Sequence, residues 1–191
     1  IRDRDTLQCT VDAEGKVHQP LNPDRITSWE ACGVTDDFVW TNEDLKTFQG
    51  VYQGNHHVIS GALFCGSSAG LISSLEGAVV NLRMEHCASI AKTLCQAIVV
   101  GESSGTVSNC SVSDSIVVSA DTNAYTGAIV GLAKLNSVIS YNTSENNRIM
   151  NDGNAAGGIV GQSDVSVRDC LVNGGDVSGE ESTGGIVGTV T

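Results

Sequence analysis

The sequence is poor in aromatic residues and proline, and both shortages narrow the class of fold. Aromatic residues make up 4% of the 191 residues and there are only 2 prolines, against 22 glycines. This composition favours short β-strands joined by tight turns, because glycine adopts positive φ without strain and β-branched residues pack well on a pleated surface. It differs from that of a helical bundle, which needs alanine, leucine, glutamate and lysine at helical spacing.

Positive charge is also scarce, since 10 Lys and Arg residues stand against 22 Asp and Glu residues, for a formal net charge of −12. A surface this acidic repels phosphate backbones and anionic lipids, so we expect no nucleic-acid partner. No apolar run approaches the ~20 residues that a membrane-spanning helix needs, so we expect no membrane span. Charged residues directly follow Ile1, which predicts a mature chain or a fragment without a signal peptide.

The 7 cysteines include no C-x-x-C pair, so no zinc site is expected. Their number and two N-glycosylation sequons favour an oxidising, extracellular or cell-surface location for a secreted protein. The candidate glycosylation sites are Asn109 and Asn142. The disulfide candidates are Cys9 and Cys32 within the N-terminal region, and one pair among Cys65, Cys87 and Cys95.

An internal repeat dominates the second half of the chain. The segment 127–131 (GAIVG) recurs as 157–161 (GGIVG) and as 184–188 (GGIVG), and looser copies occupy 97–101 (AIVVG) and 70–74 (GLISS). The last positions of these copies, 74, 101, 131, 161 and 188, are 27, 30, 30 and 27 residues apart. This spacing is too short for a β-propeller blade, which needs four strands and usually ~40 residues.

A second motif follows each copy by six or seven residues and alternates apolar with polar residues, as a half-buried strand does. It reads VSNCSV at 107–112 and VRDCLV at 167–172, and it is weaker at 138–142 and 80–84. A third strand is predicted at 115–118. Two or three short strands cannot bury an apolar face alone, so we expect them to stack as successive coils.

The sequence therefore predicts an all-β fold, a right-handed parallel β-helix (solenoid) of coils of 27–30 residues. The β-helix spans residues 46–191, and the non-repetitive residues 1–45 form an N-terminal capping region. In this alignment Leu82, Cys110, Tyr141 and Cys170 form a buried ladder, and Asn109 and Asn142 face outward.

Cys110 and Cys170 are then two coils apart, or ~9.6 Å along the axis. A disulfide needs Cα atoms within ~7 Å. The two cysteines are therefore expected to be packing thiols and not a disulfide.

Residues 48–61 (FQGVYQGNHHVISG) resemble the opening segment of GLUG-type β-helix proteins, F-x-G-x-F-D-G-N-G-H-x-I-S-G. The following 69–72 and 79–82 resemble that family's next two strands, although Gln53 and His56 replace its usual Asp and Gly. The resemblance, which covers about 44–191, implies a surface adhesin, a fibrous cell-wall protein or the non-catalytic region of a secreted immunoglobulin A protease. It carries over no catalytic residue.

The side chains suited to chemistry are few. His56 and His57 lie in a turn pattern without metal-ligating neighbours, and the acidic pairs Asp36-Asp37 and Glu180-Glu181 have no obvious carboxylate or basic partner on a neighbouring coil. There is no P-loop, dinucleotide fingerprint or nucleophile elbow. We expect no catalytic residue, no metal, no cofactor and no enzymatic activity.

The expected function is a structural or adhesive module that binds itself end to end, or binds a host or matrix surface. The candidate assembly edge is the last copy of the repeat, after which the sequence stops, so either further coils belong to a longer protein or another copy docks there to build a filament. The alternative is a glycan-binding or polysaccharide-active domain, although the repeats offer only Tyr125 and Tyr141 as aromatic platforms. The edge residues are Gly184, Gly185, Ile186, Val187 and Gly188.

Overall fold

A computed structural model describes residues 47–66 and 69–191, except for the side chains of 65 and 66. The described residues form a parallel β-solenoid of five coils, which confirms the predicted solenoid, and no helix occurs among them. The coil length varies: Val58 pairs with Arg83, 25 residues on, whereas Thr106 pairs with Val138, 32 residues on. The predicted capping region, with Cys9, Cys32 and Asp36-Asp37, lies outside the described residues.

Each coil holds four or five strands of two to four residues, which is more than the two or three expected. The first two coils contain β1 (Val51–Gln53), β2 (Val58–Ser60), β3 (Leu63–Gly66) and β4 (Ile72–Leu75), then β5 (Ala78–Val80), β6 (Arg83–Glu85), β7 (Ala88–Ala91), β8 (Cys95–Gln96) and β9 (Val100–Ser103). The third and fourth contain β10 (Thr106–Ser108), β11 (Ser111–Ser113), β12 (Ile116–Ser119), β13 (Tyr125–Gly127) and β14 (Val130–Ala133), then β15 (Val138–Ser140), β16 (Thr143–Glu145), β17 (Arg148–Asn151), β18 (Ala155–Gly157) and β19 (Val160–Ser163). The fifth contains β20 (Val167–Arg168), β21 (Leu171–Asn173), β22 (Asp176–Gly179), β23 (Ser182–Gly184) and β24 (Val187–Val190).

Strands at the same place in successive coils pair in parallel and build five sheets along the axis. We number the sheets in the order in which the chain passes through them. Sheet 1 is β1-β5-β10-β15-β20, sheet 2 is β2-β6-β11-β16-β21, sheet 3 is β3-β7-β12-β17-β22, sheet 4 is β8-β13-β18-β23 and sheet 5 is β4-β9-β14-β19-β24.

Most corners on either side of sheet 2 are made by one residue with positive φ, whereas the first corner uses Asn55 and His56 and the last uses Gly174 and Gly175. Asn, Asp and Gly tolerate this left-handed conformation best, which explains their recurrence at one position per coil. The chain can thus turn between strands with very few connecting residues. The corner residues between sheets 1 and 2 are Asn81, Asn109, Tyr141 and Asp169, and those between sheets 2 and 3 are Gly61, His86, Asp114, Asn146 and Gly174.

The core is a stack of aliphatic side chains enclosed by the coils. In sheet 1 the central residue of each strand points inward, so Val79, Val107 and Ile139 are stacked in register and fully buried. Ile129 and Ile159 of the GGIVG copies fill the other side of the same cluster. The apolar positions of both repeat motifs therefore supply the core.

The last glycine of each intact repeat lets sheet 5 pack directly against the backbone of sheet 4. A Cβ on Gly131 would overlap the amide nitrogen of Gln96, and one on Gly161 would overlap that of Thr126. A larger residue at either position would require the two sheets to separate.

The predicted alignment of the first, loosest copy is wrong by one residue. It matched Ile72 with Val99, but the structure pairs Ile72 with Val100. The Ala97 N–H donates to the Ala69 carbonyl at 3.1 Å, and the Ile72 N–H donates to the Val99 carbonyl at 3.0 Å. These bonds place Ala97 opposite Gly70 but Val100 opposite Ile72, so the second coil holds one extra residue between the two positions, beside Gly70 with its φ of +134°.

Sheet 3 differs from sheets 1 and 2 because both of its faces are buried over two coils. Every residue of β7 and β12 is buried, whereas β10 and β11 bury only their central residue. The sheet 3 side chains that point inward include Val117 and Ile149, both members of the core cluster.

Candidate functional site

The ladder predicted at the corner between sheets 1 and 2 exists, but one of its members is wrong. The structure places Asn142, and not Tyr141, in register with Leu82, Cys110 and Cys170. Tyr141 is the corner residue with positive φ, and its side chain is 61% exposed. The alternation of apolar and polar residues favoured an inward aromatic ring, whereas the turn requires the neighbouring residue to point inward.

The side chain of Asn142 is fully buried, and it takes the place of a backbone partner for two main-chain groups. The Cys110 N–H donates to Oδ1 of Asn142 at 3.0 Å, and Nδ2 of Asn142 donates to the Val107 carbonyl at 3.0 Å. A buried amide that satisfies two backbone groups stabilises the turn, since an unpaired buried N–H or C=O is costly. The prediction that Asn142 faces outward as a glycan acceptor is therefore wrong.

The corner between sheets 2 and 3 repeats this arrangement. The Ser115 N–H donates to Oδ1 of Asn147 at 2.9 Å, and Nδ2 of Asn147 donates to the Val112 carbonyl at 2.8 Å. One coil earlier, the Cys87 N–H donates to the hydroxyl of Ser115 at 3.0 Å. Sequence reasoning missed this second ladder, although the pair Asn146-Asn147, a turn residue followed by an Asn, is its signal in the sequence.

Asn109 is exposed, as predicted, and belongs to an outward amide ladder. Its Nδ2 donates to Oδ1 of Asn81 at 2.6 Å, and Nδ2 of Asn81 donates to Oε1 of Gln53 at 2.7 Å. The amide nitrogen that would carry a glycan is thus at the surface, bonded to a neighbouring side chain.

Four cysteines with described side chains, Cys87, Cys95, Cys110 and Cys170, are free thiols. This contradicts the expected disulfide for Cys87 and Cys95, which lie in different places: a corner ladder and sheet 4 respectively. It agrees with the expectation that Cys110 and Cys170 do not bond, although Cys170 in the last coil is only half-buried. The side chain of Cys65 lies outside the described part of the chain.

Burial makes these thiols poor nucleophiles. It raises the pKa of Cys95 to about 12, with the Glu102 carboxylate adding to the rise and Lys134 opposing it. Burial also raises the pKa of Cys87, Cys110 and Cys170. Since the thiolate is the reactive form, the cysteines act as packing groups in the folded chain.

The outward carboxylates of neighbouring coils pair with amides or ammonium groups. Glu102 lies 2.6 Å from Nζ of Lys134, one coil away. Glu76 and Glu145 accept hydrogen bonds from Gln49 and Asn173, respectively, at 2.7 and 3.3 Å. These contacts join consecutive coils and do not bring two carboxylates into one cleft.

The remaining candidates for chemistry lie in turns. His56 and His57 are exposed, and the His56 N–H donates to the Asn81 carbonyl, which fixes the first corner. Glu180 and Glu181 are exposed between β22 and β23. Over residues 47–66 and 69–191, no group of three or more His, Cys, Asp or Glu side chains is placed to hold a metal ion.

The outer faces of sheets 1 and 2 carry rows of small hydroxyl side chains in the third and fourth coils. The hydroxyls of Ser108 and Ser140 are 3.1 Å apart across two coils, and Thr106 lies in register with Val138. Ser111 and Thr143 form the adjoining row of sheet 2. These rows stack at the strand spacing of ~4.8 Å and face solvent.

The predicted assembly edge lies in the fifth coil, whose five strands pair on one side only among the described residues. Gly184 ends β23, Val187 and Gly188 begin β24, and Gly185 and Ile186 connect them. Exposed apolar side chains surround a depression of about 570 Å³ there. It is lined by Asp164, Val165, Ser166, Val167, Ile186, Val187 and Val190.

The described segments include no helix long and apolar enough to cross a membrane. Neither the protein-family models, nor the curated proteins, nor the solved structures contain a match to this chain.

Proposed function

We propose that this chain is an extracellular structural or adhesive β-helix module without catalytic activity, which binds a host or matrix surface through sheets 1 and 2. The main support is the in-register rows of hydroxyl side chains on these sheets in the third and fourth coils, Ser108 with Ser140 and Ser111 with Thr143. The lateral face of a solenoid suits an extended partner, because successive coils are stacked at a fixed spacing along one axis. The exposed side chain of Asn109, the first residue of a sequon, and the resemblance to GLUG-type proteins support the extracellular location.

The test is saturable binding of the purified chain to an array of polysaccharides and extracellular-matrix proteins. Replacing Ser111 and Ser113 with arginine places bulk in the middle of the surface, and we expect at least tenfold weaker binding. The control is Gln162→Arg on sheet 5, which should bind as the unmodified chain does. Lack of saturable binding, or equal loss in the control, would contradict the proposal.

A second part of the proposal is end-to-end association through the fifth coil. The support is the open side of β20–β24 and the exposed Ile186 and Val190, 41% and 69% accessible. Open strand edges pair readily with a further strand. Negative-stain electron microscopy should show rods that lengthen with concentration, and Val190→Asp should shorten them while Val138→Asp on sheet 1 should not. Short rods at every concentration would exclude this part and leave lateral adhesion intact.

The exposed ring of Tyr141 supports a glycan-binding module as a second candidate. An aromatic ring at the surface beside the amides of the corner is the kind of group on which a sugar stacks. A Tyr141→Ala variant that loses polysaccharide binding but keeps protein binding would favour this alternative.

A further inference from the structure

One pair of residues in the fifth coil belongs to a chemically labile type. Asn173-Gly174 is the only Asn-Gly pair in the sequence. An asparagine followed by glycine loses ammonia more readily than one followed by a larger residue, because no side chain hinders attack by the next backbone nitrogen on the asparagine amide. Asn173 ends β21, Gly174 forms the corner that follows, and both are exposed. The pair is therefore accessible to solvent at the corner between sheets 2 and 3.

The backbone N–H of Gly174 differs from those of the equivalent corner residues. In the second, third and fourth coils, the N–H groups of His86, Asp114 and Asn146 each donate to a carbonyl of the following coil, at 3.1, 3.0 and 2.9 Å. Gly174 occupies this position in the fifth coil, and within residues 47–66 and 69–191 its N–H donates to no acceptor. The nitrogen that must attack the Asn173 amide is thus free of a hydrogen bond.

Two pairs of related chemistry in the same chain are held by hydrogen bonds. In Asp152-Gly153 the glycine is buried, and its N–H donates to Oδ1 of Asn151 at 3.1 Å. In Asn136-Ser137 the serine N–H donates to the Lys134 carbonyl at 3.1 Å. The fold therefore restrains the attacking nitrogen at these two pairs and leaves it unrestrained at Asn173-Gly174.

Little opposes the rotation that brings the Gly174 nitrogen to the Asn173 amide. β21 is the outermost strand of sheet 2 and pairs on one side only among the described residues. The rotation breaks the bond from the Asn146 N–H to the Asn173 carbonyl, and the net contribution of one such bond is small. Gly174 and Gly175 have φ values of 66° and 88°, and as glycines they can leave these conformations without a steric penalty.

We propose that Asn173-Gly174 is a site of spontaneous deamidation, which slowly modifies the edge of the fifth coil. The Gly174 nitrogen gives its proton to a water-derived base and bonds to Cγ of Asn173. The bond from Cγ to Nδ2 breaks, and Nδ2 takes up a proton from water and leaves as ammonia. Water then opens the succinimide ring at either carbonyl, which gives aspartate or isoaspartate at 173. Water is the only co-reactant, no electron transfer takes place, and the inference is independent of the proposed adhesive function.

Both products alter the pairing of β21 with β16. In the unmodified chain Nδ2 of Asn173 donates to Oε1 of Glu145 at 3.3 Å, whereas a carboxylate at 173 faces the Glu145 carboxylate and repels it. Isoaspartate also lengthens the backbone by one methylene group, which disrupts the register between Asn173 and Glu145. We expect β21 to separate from β16, while the inner coils keep their pairing.

The test compares the native 191-residue chain with the same chain in urea, both held in mildly alkaline buffer and sampled over weeks. Peptide mapping by mass spectrometry gives the conversion rate at each asparagine, and labelling with isoaspartyl methyltransferase identifies isoaspartate. Folding should slow conversion at Asn136 at least tenfold more than it slows conversion at Asn173. Equal slowing at the two sites, or no conversion at Asn173 in the native chain, would overturn the proposal.

Gly174→His is the matched variant, because the equivalent corner residue of the second coil is His86, with a φ of 53°. It should slow native conversion at Asn173 at least fivefold and retain the β-sheet circular dichroism. Asn173→Gln, whose longer side chain would have to close a larger ring, should give no product at 173. An unchanged rate in folded Gly174→His would contradict the proposal, and if this variant does not fold, the comparison of native and urea rates decides.

The structural effect is measured on the converted protein after its separation by ion-exchange chromatography. Amide hydrogen exchange should become at least tenfold faster in β21 and stay unchanged in β11, the equivalent strand of the third coil. Unchanged exchange in β21 would contradict the effect assigned to the modification.

Discussion

Sheets 1 and 3 are built by the same coils, and each places one row of side chains in the core. Their outward rows of side chains differ. Within the third coil, sheet 1 presents Thr106 and Ser108 to solvent, whereas sheet 3 presents Ile116 and Val118 to a buried environment. The alternation of apolar and polar residues indicates a sheet with one solvent-exposed face. It disappears in a strand that is covered on both faces, which becomes a continuous apolar run.

The inward rows provide the largest expected effect. Ile149→Ala removes a fully buried side chain from the core row of sheet 3, and we expect a loss of about 2–5 kcal/mol in the free energy of unfolding. Urea denaturation monitored by circular dichroism measures it. Val138→Ala, at an exposed position of sheet 1 in the same coil, should change stability by less than about 0.5 kcal/mol.

The outward row of sheet 3 should behave like a core. Ile116→Ala is expected to cost about 2–3 kcal/mol, at the lower end of the range for buried aliphatic truncations, because neighbouring side chains can settle partly into the space. The same denaturation assay applies. A loss no larger than that of Val138→Ala would mean that this face is open in solution.

The buried corner amides come next. Asn142→Ala leaves the Cys110 N–H and the Val107 carbonyl without their side-chain partner, which should cost about 1–3 kcal/mol. Asn173→Ala, which removes only an exposed bond to Glu145, is the matched control. Equal stability of the two variants would contradict the role assigned to Asn142.

Alkaline pH should weaken the fold through its buried thiols. Because the pKa of Cys95 is raised from 9.0 to about 12 on folding, its contribution is complete below pH ~9 and is lost as the pH rises toward 12. Each such proton gives a slope of about 1.4 kcal/mol per pH unit within this window. Cys95→Ala should flatten the measured dependence of unfolding free energy on pH, and an unchanged slope would contradict the assignment.

The smallest effect is a gain in stability at the corner between sheets 1 and 2. Tyr141 holds a φ of 56°, which asparagine tolerates better than an aromatic residue, and its exposed ring contributes little packing. Tyr141→Asn should raise the free energy of unfolding by about 1 kcal/mol. Tyr141→Ala should gain less, since alanine also disfavours this conformation, and calorimetry can resolve the order of the three proteins.

The repeats made the solenoid and most of its inward rows predictable, because Val107 and Ile129 recur with a spacing that only stacked coils accommodate. The number of strands was not predictable in the same way, since strands of two to four residues are too short to show alternation. Tyr141 and Asn142 were exchanged because hydrophobicity alone cannot report a positive φ. Aligning Tyr141 with the Asn and Asp residues at the other corners would have corrected the assignment.

The burial of the outer face of sheet 3 could not be predicted from the repeat, because its outward residues differ from coil to coil: Ile116 and Val118 are apolar, whereas their equivalents in the fifth coil are Asp176 and Ser178. Residues 115–118 were correctly placed near a strand, β12, but nothing in the segment distinguished a second buried face from an exposed apolar one. Only the three-dimensional structure shows that Ile90 and Val118 are buried.

The most direct test of this contrast is carbene footprinting of the unmodified full-length chain, read by mass spectrometry at residue level. We predict strong labelling of Val58, Val138 and Leu171 on sheets 1 and 2, and protection of Ile90, Ile116 and Val118 on sheet 3 until denaturant is added. Labelling of the sheet 3 residues at the level of Val138 in the native protein would contradict the account.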